Sequence, residues 1–165
     1  MTREEFWQFI DSIHEEMREY QEDFNSALEL SIDSLEPEEI IDFARHYAEL
    51  QNEANTPAIL EAAFIIGCGP SNDGFMDFRR WIVFQGKTVF SEIVANPDFL
   101  GTYDPEATPI EHWYCEYHPM WAYKEATGKE LPHFFVDVYP DAPSDFNNER
   151  ILAERYPNLW RRCKQ

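Results

Sequence analysis

The sequence predicts a mainly α-helical single domain over residues 1–165, with a helical core over 1–96 and an irregular, aromatic- and proline-rich lobe over 97–165. Two observations support the helical core: apolar residues recur every three or four positions, and helix start signals precede several of these stretches. A third supports the lobe, since seven prolines fall in residues 97–143 and ten aromatic residues in 103–146. We therefore expect a helical bundle followed by a lobe packed through its aromatic side chains.

The first helix begins at a capping-box pattern formed by Thr2 and Glu5. Its expected buried stripe is Phe6, Ile10, Ile13, Met17 and Tyr20, widened by Trp7 and Phe9. Acidic residues fall largely on the opposite side of this helix. The pattern is typical of an amphipathic helix with one solvated acidic face.

Three further helices are expected before residue 67. The second runs from about Asn25 to Ile32 and uses Ala27, Leu28 and Leu30. The third begins at Pro37, and Ile40, Phe43, Ala44 and Tyr47 form its stripe. Thr56-Pro57 starts a fourth apolar stretch, whose alanines favour a helix over a buried strand.

The remaining elements are shorter. A helix follows Asn72-Asp73-Gly74 and ends at Gly86, and another continues to Asn96-Pro97. In the lobe we expect a helix over about Met120–Thr127 that ends at Gly128, and a strand or extended segment over Phe134–Tyr139. A final helix is expected over Asn147–Tyr156.

The charge of the chain excludes several classes of protein as first hypotheses. The formal net charge is −19, and residues 1–50 hold 15 acids against 3 bases. Such a chain repels nucleic-acid phosphates and anionic membranes. An aromatic content of 16% is too high for a disordered acidic tail, and the longest aliphatic run is too short to span a membrane.

The cysteines indicate a reducing compartment. Cys68, Cys115 and Cys163 are odd in number and widely spaced, which does not suggest a disulfide framework. The first residues lack the pattern of a secretory signal. We therefore expect a cytoplasmic protein.

One motif resembles a known family. Ser71-Asn72-Asp73-Gly74-Phe75-Met76-Asp77-Phe78-Arg79-Arg80-Trp81 is similar to the Ser-x-Asp-Gly-Phe-x-x-Phe-Arg-x-Trp motif of the bacterial domain-of-unknown-function family DUF4240. The N-terminal Phe6-Trp7, Gly86 and the Asn96-Pro97-Asp98 turn extend the resemblance over roughly residues 1–130. The resemblance implies a helical domain and brings no activity, catalytic residue or cofactor.

The same motif region carries the main polar candidates. They are Asp73, Asp77, Arg79, Arg80 and Trp81, together with Glu61 in the apolar fourth stretch. A buried carboxylate needs a partner, and Arg79 or Arg80 is the candidate for Glu61. The set forms either a polar binding site centred on Asp73, Arg79 and Trp81 or a structural ion pair between two helices.

Two other patterns have structural alternatives. The glycine-rich segment 67–74 can bind an anion at a helix start, or its Asn72 or Asp73 simply caps that helix. His112, Cys115 and His118 stand three residues apart, as zinc ligands on one helical turn do, and Cys115 beside a histidine could also suggest a nucleophile. A fourth zinc ligand is not evident, so aromatic packing with surface histidines is the alternative.

The leading functional hypothesis is a non-enzymatic protein that binds a basic protein partner, either as a regulator or as a toxin-neutralising immunity protein. Acidic helices would steer the partner, and exposed Trp and Tyr side chains in residues 103–123 would anchor it. No cofactor is expected. The alternative is a small-ligand-binding protein or enzyme with its site around Asp73, Arg79 and Trp81.

Overall fold

The computed structural model describes residues 1–20, 23–67, 71–104 and 117–164. Within these ranges every regular element is helical and no strand occurs, which confirms the predicted mainly α class. The α-helices are α1 (Arg3–Tyr20), α2 (Phe24–Asp33), α3 (Pro37–Glu53), α4 (Pro57–Ile66), α5 (Asn72–Val83), α6 (Lys87–Ala95), α7 (His118–Thr127), α8 (Glu149–Arg155) and α9 (Pro157–Lys164). A 3-10 helix, η1 (Pro97–Gly101), lies between α6 and α7 in the chain.

The chain divides into two compact units, each assembled from separate stretches of sequence. Unit 1 contains the described residues of Met1–Glu49 and Glu111–Phe135, and unit 2 those of Leu50–Ile110 and Val136–Gln165. The division falls inside α3 at Leu50. That the whole chain acts as a single domain stays a prediction.

Unit 1 is built on the amphipathic face of α1. The predicted capping box is present: the Thr2 N–H donates to Glu5 Oε2 at 2.6 Å, and the Glu5 N–H donates to Thr2 Oγ1 at 3.3 Å. Phe6 is fully buried and its ring lies 5.2 Å from that of Phe43 on α3. Helix α2 packs against both α1 and α7.

Two apolar residues expected in the core of unit 1 are exposed instead. Tyr20 of α1 is 64% exposed and Leu30 of α2 is 61% exposed. Their neighbours on the same helices, Ile13 and Leu28, are fully buried. The core-facing stripe of each helix is therefore narrower than the sequence pattern predicts, since spacing alone does not tell where a stripe stops facing the core.

Unit 2 is built around α4 and α5, both of which have side-chain caps. The Thr56 hydroxyl accepts a hydrogen bond from the Ile59 N–H, as the Thr-Pro signal predicts. Helix α5 is capped by Ser71, whose hydroxyl accepts from the Gly74 N–H at 3.1 Å. The prediction that Asn72 or Asp73 caps this helix is wrong, because both lie in its first turn.

Helix α9 docks on η1 through a buried carboxylate. Asp98 Oδ1 accepts the backbone N–H groups of Asn158 and Leu159, each at 2.9 Å, and Oδ2 accepts the Asn158 side-chain amide at 2.7 Å. A Cβ atom at Gly101 would lie 2.2 Å from the Asn158 carbonyl carbon. The two elements therefore approach so closely that only glycine fits at position 101.

The lobe differs from the expectation in two respects. The final helix predicted over Asn147–Tyr156 is α8, and a further helix that the sequence did not predict, α9, follows it from Pro157, with Tyr156 at the break between them. A residue before proline disfavours the helical conformation, which explains the break. Residues 130–143 form neither helix nor strand, so the strand that was one of the two predicted forms of Phe134–Tyr139 is absent. Helix α7 begins two residues earlier than predicted and ends at Gly128, whose φ is +70°.

Among the helices of the described ranges, none combines the length and apolar character that crossing a membrane requires.

Candidate functional site

Arg79 is the most unusual of the predicted polar residues. Its side chain lies on α5, has no exposed surface, and holds its guanidinium carbon 4.8 Å from the centre of the Phe75 ring. Nη1 donates to the Gln51 carbonyl at 3.2 Å and Nη2 to the Val138 carbonyl at 3.4 Å. Within the described ranges Nε has no hydrogen-bond acceptor, and Arg79 forms no salt bridge.

Burial lowers the pKa of Arg79 from its usual 12.5 to about 10. The neighbouring charge of Arg80 acts in the same direction, and the carboxylate of Asp137 opposes it. At neutral pH the group is still a cation. The structure thus holds a buried positive charge whose described hydrogen-bond acceptors are neutral carbonyls.

The other candidates on α5 occupy different environments. Asp77 and Arg80 do form the predicted pair along the helix, with Oδ1 and Nη1 2.8 Å apart. Trp81 is buried and stacks on Phe78 with ring centres 5.8 Å apart. Asp73 is exposed in the first turn. It lies six residues from Arg79, so the two side chains are separated by about 9 Å along the helix and point to different sides.

Glu61 has a different partner from the one expected. Its side chain is 1% exposed on α4, and its two oxygens accept hydrogen bonds from Arg155 at the end of α8 and from the hydroxyl of Tyr156. The prediction that Arg79 or Arg80 pairs with Glu61 is therefore wrong. The three groups form an ion pair and hydrogen bond that tie α4 to the α8–α9 junction.

The proposed zinc ligands lie mostly outside the described residues. His112 and Cys115 are in the range that the structure does not describe, as are Cys68 and the rest of the glycine-rich loop at 68–70. His118 is described, and its Nε2 lies 2.9 Å from Asp33 Oδ1. Within the described ranges no group of three metal-binding side chains occurs. The zinc site stays a prediction.

A second candidate site lies on unit 1, where α2 packs against α7. We define the α2–α7 surface by Leu30 and Asp33 of α2 and by Tyr117, His118 and Trp121 at the start of α7. Trp121 is 61% exposed and Leu30 61% exposed. The rings of Tyr117 and Trp121 stack with centres 6.1 Å apart and planes inclined by 24°.

A hydrogen bond between His118 and Asp33 connects the two helices of the α2–α7 surface. The His118–Asp33 bond joins the two helices, and the His118 ring meets Trp121 edge-on at 6.4 Å. Leu30 precedes Asp33 by three residues, and Trp121 follows His118 by three residues, so each lies one turn from the bond. The His118–Asp33 bond and the contact of His118 with Trp121 give the stacked Tyr117–Trp121 pair a defined orientation before any ligand binds.

The surroundings of this surface are acidic. Helix α2 contains Glu29 and Asp33 and carries no Lys or Arg. The exposed acidic residues of α1–α3 in unit 1 are Glu4, Glu5, Asp11, Glu15, Glu16, Glu19, Glu29, Asp33, Glu38 and Glu49. The unit therefore combines a negative potential with an exposed aromatic pair.

The sequence predicted part of this surface. Exposed Trp and Tyr in the 103–123 stretch were expected, and among its described residues Tyr117 and Trp121 are exposed, whereas Tyr103 and Tyr123 are half-buried. Leu30 and Asp33 were missed, because Leu30 was placed in the core of α2. No local signal joins Asp33 to His118, which is 85 residues away.

The comparisons with known proteins agree with the motif resemblance. No curated protein and no solved structure matches the chain. A family model described as "Protein of unknown function (DUF4240)" matches residues 1–125, about three quarters of the chain. The chain therefore belongs to the DUF4240 family, as its Ser71–Trp81 motif indicated.

Proposed function

We propose that this protein is a non-enzymatic interaction protein whose α2–α7 surface binds a basic protein partner. The observation that carries the proposal is the stacked, solvent-exposed Tyr117–Trp121 pair beside Asp33 on an acidic unit. A regulator or a toxin-neutralising immunity protein would both act by such binding.

The charge supports the kind of partner. Unit 1 presents exposed carboxylates on three helices, and residues 1–50 contain only three bases, Arg3, Arg18 and Arg45. Arg45 lies beside Asp42 and Glu49 and is already paired with them. A surface of this sign attracts a cationic protein over a distance of about 10 Å at moderate salt, which raises the association rate.

The aromatic pair supports the location. Binding energy in protein interfaces concentrates in Trp, Tyr and Arg side chains near the centre of the contact. An Arg or Lys of the partner can stack on the exposed face of Trp121 while Asp33 and Glu29 accept its hydrogen bonds. Among the described residues, six of the seven large apolar side chains with high exposure belong to unit 1, and the seventh is Val138 of unit 2. The six are Tyr20, Leu30, Tyr117, Met120, Trp121 and Phe135.

The test is an affinity capture at low salt, followed by direct binding measurements with the purified captured protein. We expect the captured protein to be basic, and its affinity to fall steeply as salt is raised. Trp121→Ala is expected to weaken binding at least about thirtyfold, as a central aromatic anchor does. Asp33→Asn is expected to weaken it about fivefold to tenfold.

Glu92→Gln is the matched control for Asp33→Asn. Glu92 is exposed on α6 in unit 2, so this variant changes the net charge by the same amount elsewhere on the chain. It is expected to change the affinity by less than about twofold. Equal binding by wild type and Trp121→Ala, or an affinity that ignores salt, contradicts the proposal.

We further propose that the protein acts in the cytoplasm, on the ground of its three widely spaced cysteines. Cys163 is exposed and forms no disulfide. Partial burial of its thiol raises its pKa, and the nearby charges of Arg162 and Lys164 oppose this by lowering it.

A further inference from the structure

One edge of the Arg79 guanidinium, formed by Nε and Nη2, contains a donor that has no acceptor among the described residues. The Nε–H and one Nη2–H point in the same direction, as the two prongs of the side-on fork of every arginine do. In unit 2 the described acceptor of Nη2 is the Val138 carbonyl at 3.4 Å, while Nε donates to no described residue. The opposite end, Nη1, is occupied by the Gln51 carbonyl at 3.2 Å.

This arrangement leaves the charge of Arg79 without a described ion pair. A buried cation is costly unless an anion accompanies it, and the only contacts that partly offset the cost here are two carbonyl dipoles and the Phe75 ring. Two oxygens of an oxyanion placed against the Nε–Nη2 edge would accept two parallel hydrogen bonds with charge on both partners, in place of one long bond to a neutral carbonyl.

The segment that contains Val138 has no regular secondary structure. Residues 136–139 belong to the irregular stretch 130–143, and Val138 is 43% exposed. The contacts of the segment include the Asp137 N–H on Asn52 Oδ1 at 2.7 Å and the Tyr139 ring 5.5 Å from Phe75. A segment without regular secondary structure opens at a lower cost in free energy than a helix of the core does.

We propose that the Nε–Nη2 edge of Arg79 is a binding site for an oxyanion, a carboxylate or a phosphate group, which displaces the Val138 carbonyl as segment 136–139 moves aside. Phe75 supports the guanidinium from one face, and Gln51 holds its far end, so the fork is oriented before the anion arrives. This site lies in unit 2 and is independent of the α2–α7 surface.

The two anion chemistries are separated by titration with inorganic phosphate and with acetate, each against sodium chloride at equal ionic strength. The reporter is the Nε–H resonance of Arg79 in nitrogen-15-labelled wild-type protein. We expect saturable movement of this resonance with one of the two anions beyond the chloride baseline. The anion that saturates at the lower concentration identifies the ligand class.

Three variants test the site through a second measurement, the rise in melting temperature that the anion causes. Arg79→Lys keeps the charge and loses the fork, and is expected to bind at least about tenfold more weakly. The matched control Arg80→Lys alters the neighbouring arginine, which pairs with Asp77, and is expected to keep the stabilisation. Asp137→Asn removes a nearby negative charge and is expected to bind about fivefold more tightly.

Two results would overturn the proposal. One is an Nε–H resonance that phosphate and acetate move no further than chloride does. The other is a folded Arg79→Lys protein that either anion stabilises as much as it stabilises wild type. Because the readouts concern Arg79 alone, their failure leaves the proposed binding of a basic partner by unit 1 intact.

Discussion

The hydroxyl of Tyr156 donates a hydrogen bond of 2.5 Å to Oε2 of Glu61, across 95 residues of sequence. Both side chains are at least 95% buried, so water is not available to replace either partner of this bond. We expect Tyr156→Phe to lower the free energy of unfolding by about 1–3 kcal/mol, because the buried carboxylate loses a donor. Urea denaturation measures this change. The control is Tyr20→Phe, at a 64% exposed position, with an expected change below about 0.5 kcal/mol. Equal stability of the two variants would contradict the role assigned to the bond.

The same pair predicts a dependence of stability on alkaline pH. Burial and the hydrogen bond to Glu61 raise the pKa of Tyr156 above the usual value of 10.0. The folded state thus favours the neutral phenol, and the resulting stability is complete below about pH 10 and is lost as the pH rises through the higher folded-state pKa.

We therefore expect the urea midpoint of the wild type to fall more between about pH 9 and about pH 11 than that of Tyr156→Phe. Tyr139, whose pKa burial also raises, is present in both proteins and cancels in the difference. Parallel pH profiles for the two proteins would refute the assignment.

The contact between η1 and α9 predicts a position that tolerates no side chain. Gly101→Ala would place a methyl group 2.2 Å from the Asn158 carbonyl carbon and 2.3 Å from the Leu159 nitrogen, which are backbone atoms. We expect Gly101→Ala to lower the free energy of unfolding by about 1–3 kcal/mol, and by more if α9 is displaced. Urea denaturation is again the measurement.

Gly128→Ala serves as the comparison for Gly101→Ala. Gly128 has a φ of +70° but no atom within 4 Å of its added Cβ, so only backbone strain of about 1 kcal/mol is expected. A smaller loss at Gly101 than at Gly128 would show that α9 does not pack as described.

The cap of α5 separates the observed structure from the sequence prediction. Ser71→Ala removes the oxygen that accepts the Gly74 N–H and is expected to cost about 1 kcal/mol. Asn72→Ala changes an exposed first-turn residue and is expected to alter stability by less than about 0.5 kcal/mol. Thermal unfolding of both variants measures the two changes in stability. A larger loss of stability in Asn72→Ala than in Ser71→Ala would indicate that Asn72 is the cap.

Local patterns predicted most of the helices. The Thr2–Glu5 box, Pro37, Thr56-Pro57 and Gly128 each mark a helix end that the structure contains, because a cap is decided by a few adjacent residues. Helix α9 was missed, although its first residue is Pro157 and proline at a first helical position had been used as a start signal elsewhere in the chain.

The pairings of the candidate sites could not be predicted in the same way. Arg155 reaches Glu61 over 94 residues, and His118 reaches Asp33 over 85. Sequence periodicity tells which face of a helix is apolar, but it does not tell which helices meet. Arg79 and Arg80, on the helix that follows α4 in the chain, were therefore the wrong partners for Glu61.

The hydrogen-bond donors of two buried carboxylates limit where the chain can be truncated. Glu61 and Asp98 lie within the 125 residues that match the family model, whereas their partners Arg155, Tyr156, Asn158 and Leu159 lie beyond them. A fragment ending at residue 125 would keep both carboxylates and lose their donors. During synthesis on a ribosome, unit 2 therefore completes its core only after residues 155–159 have left the exit tunnel, and until then Glu61 and Asp98 must stay hydrated.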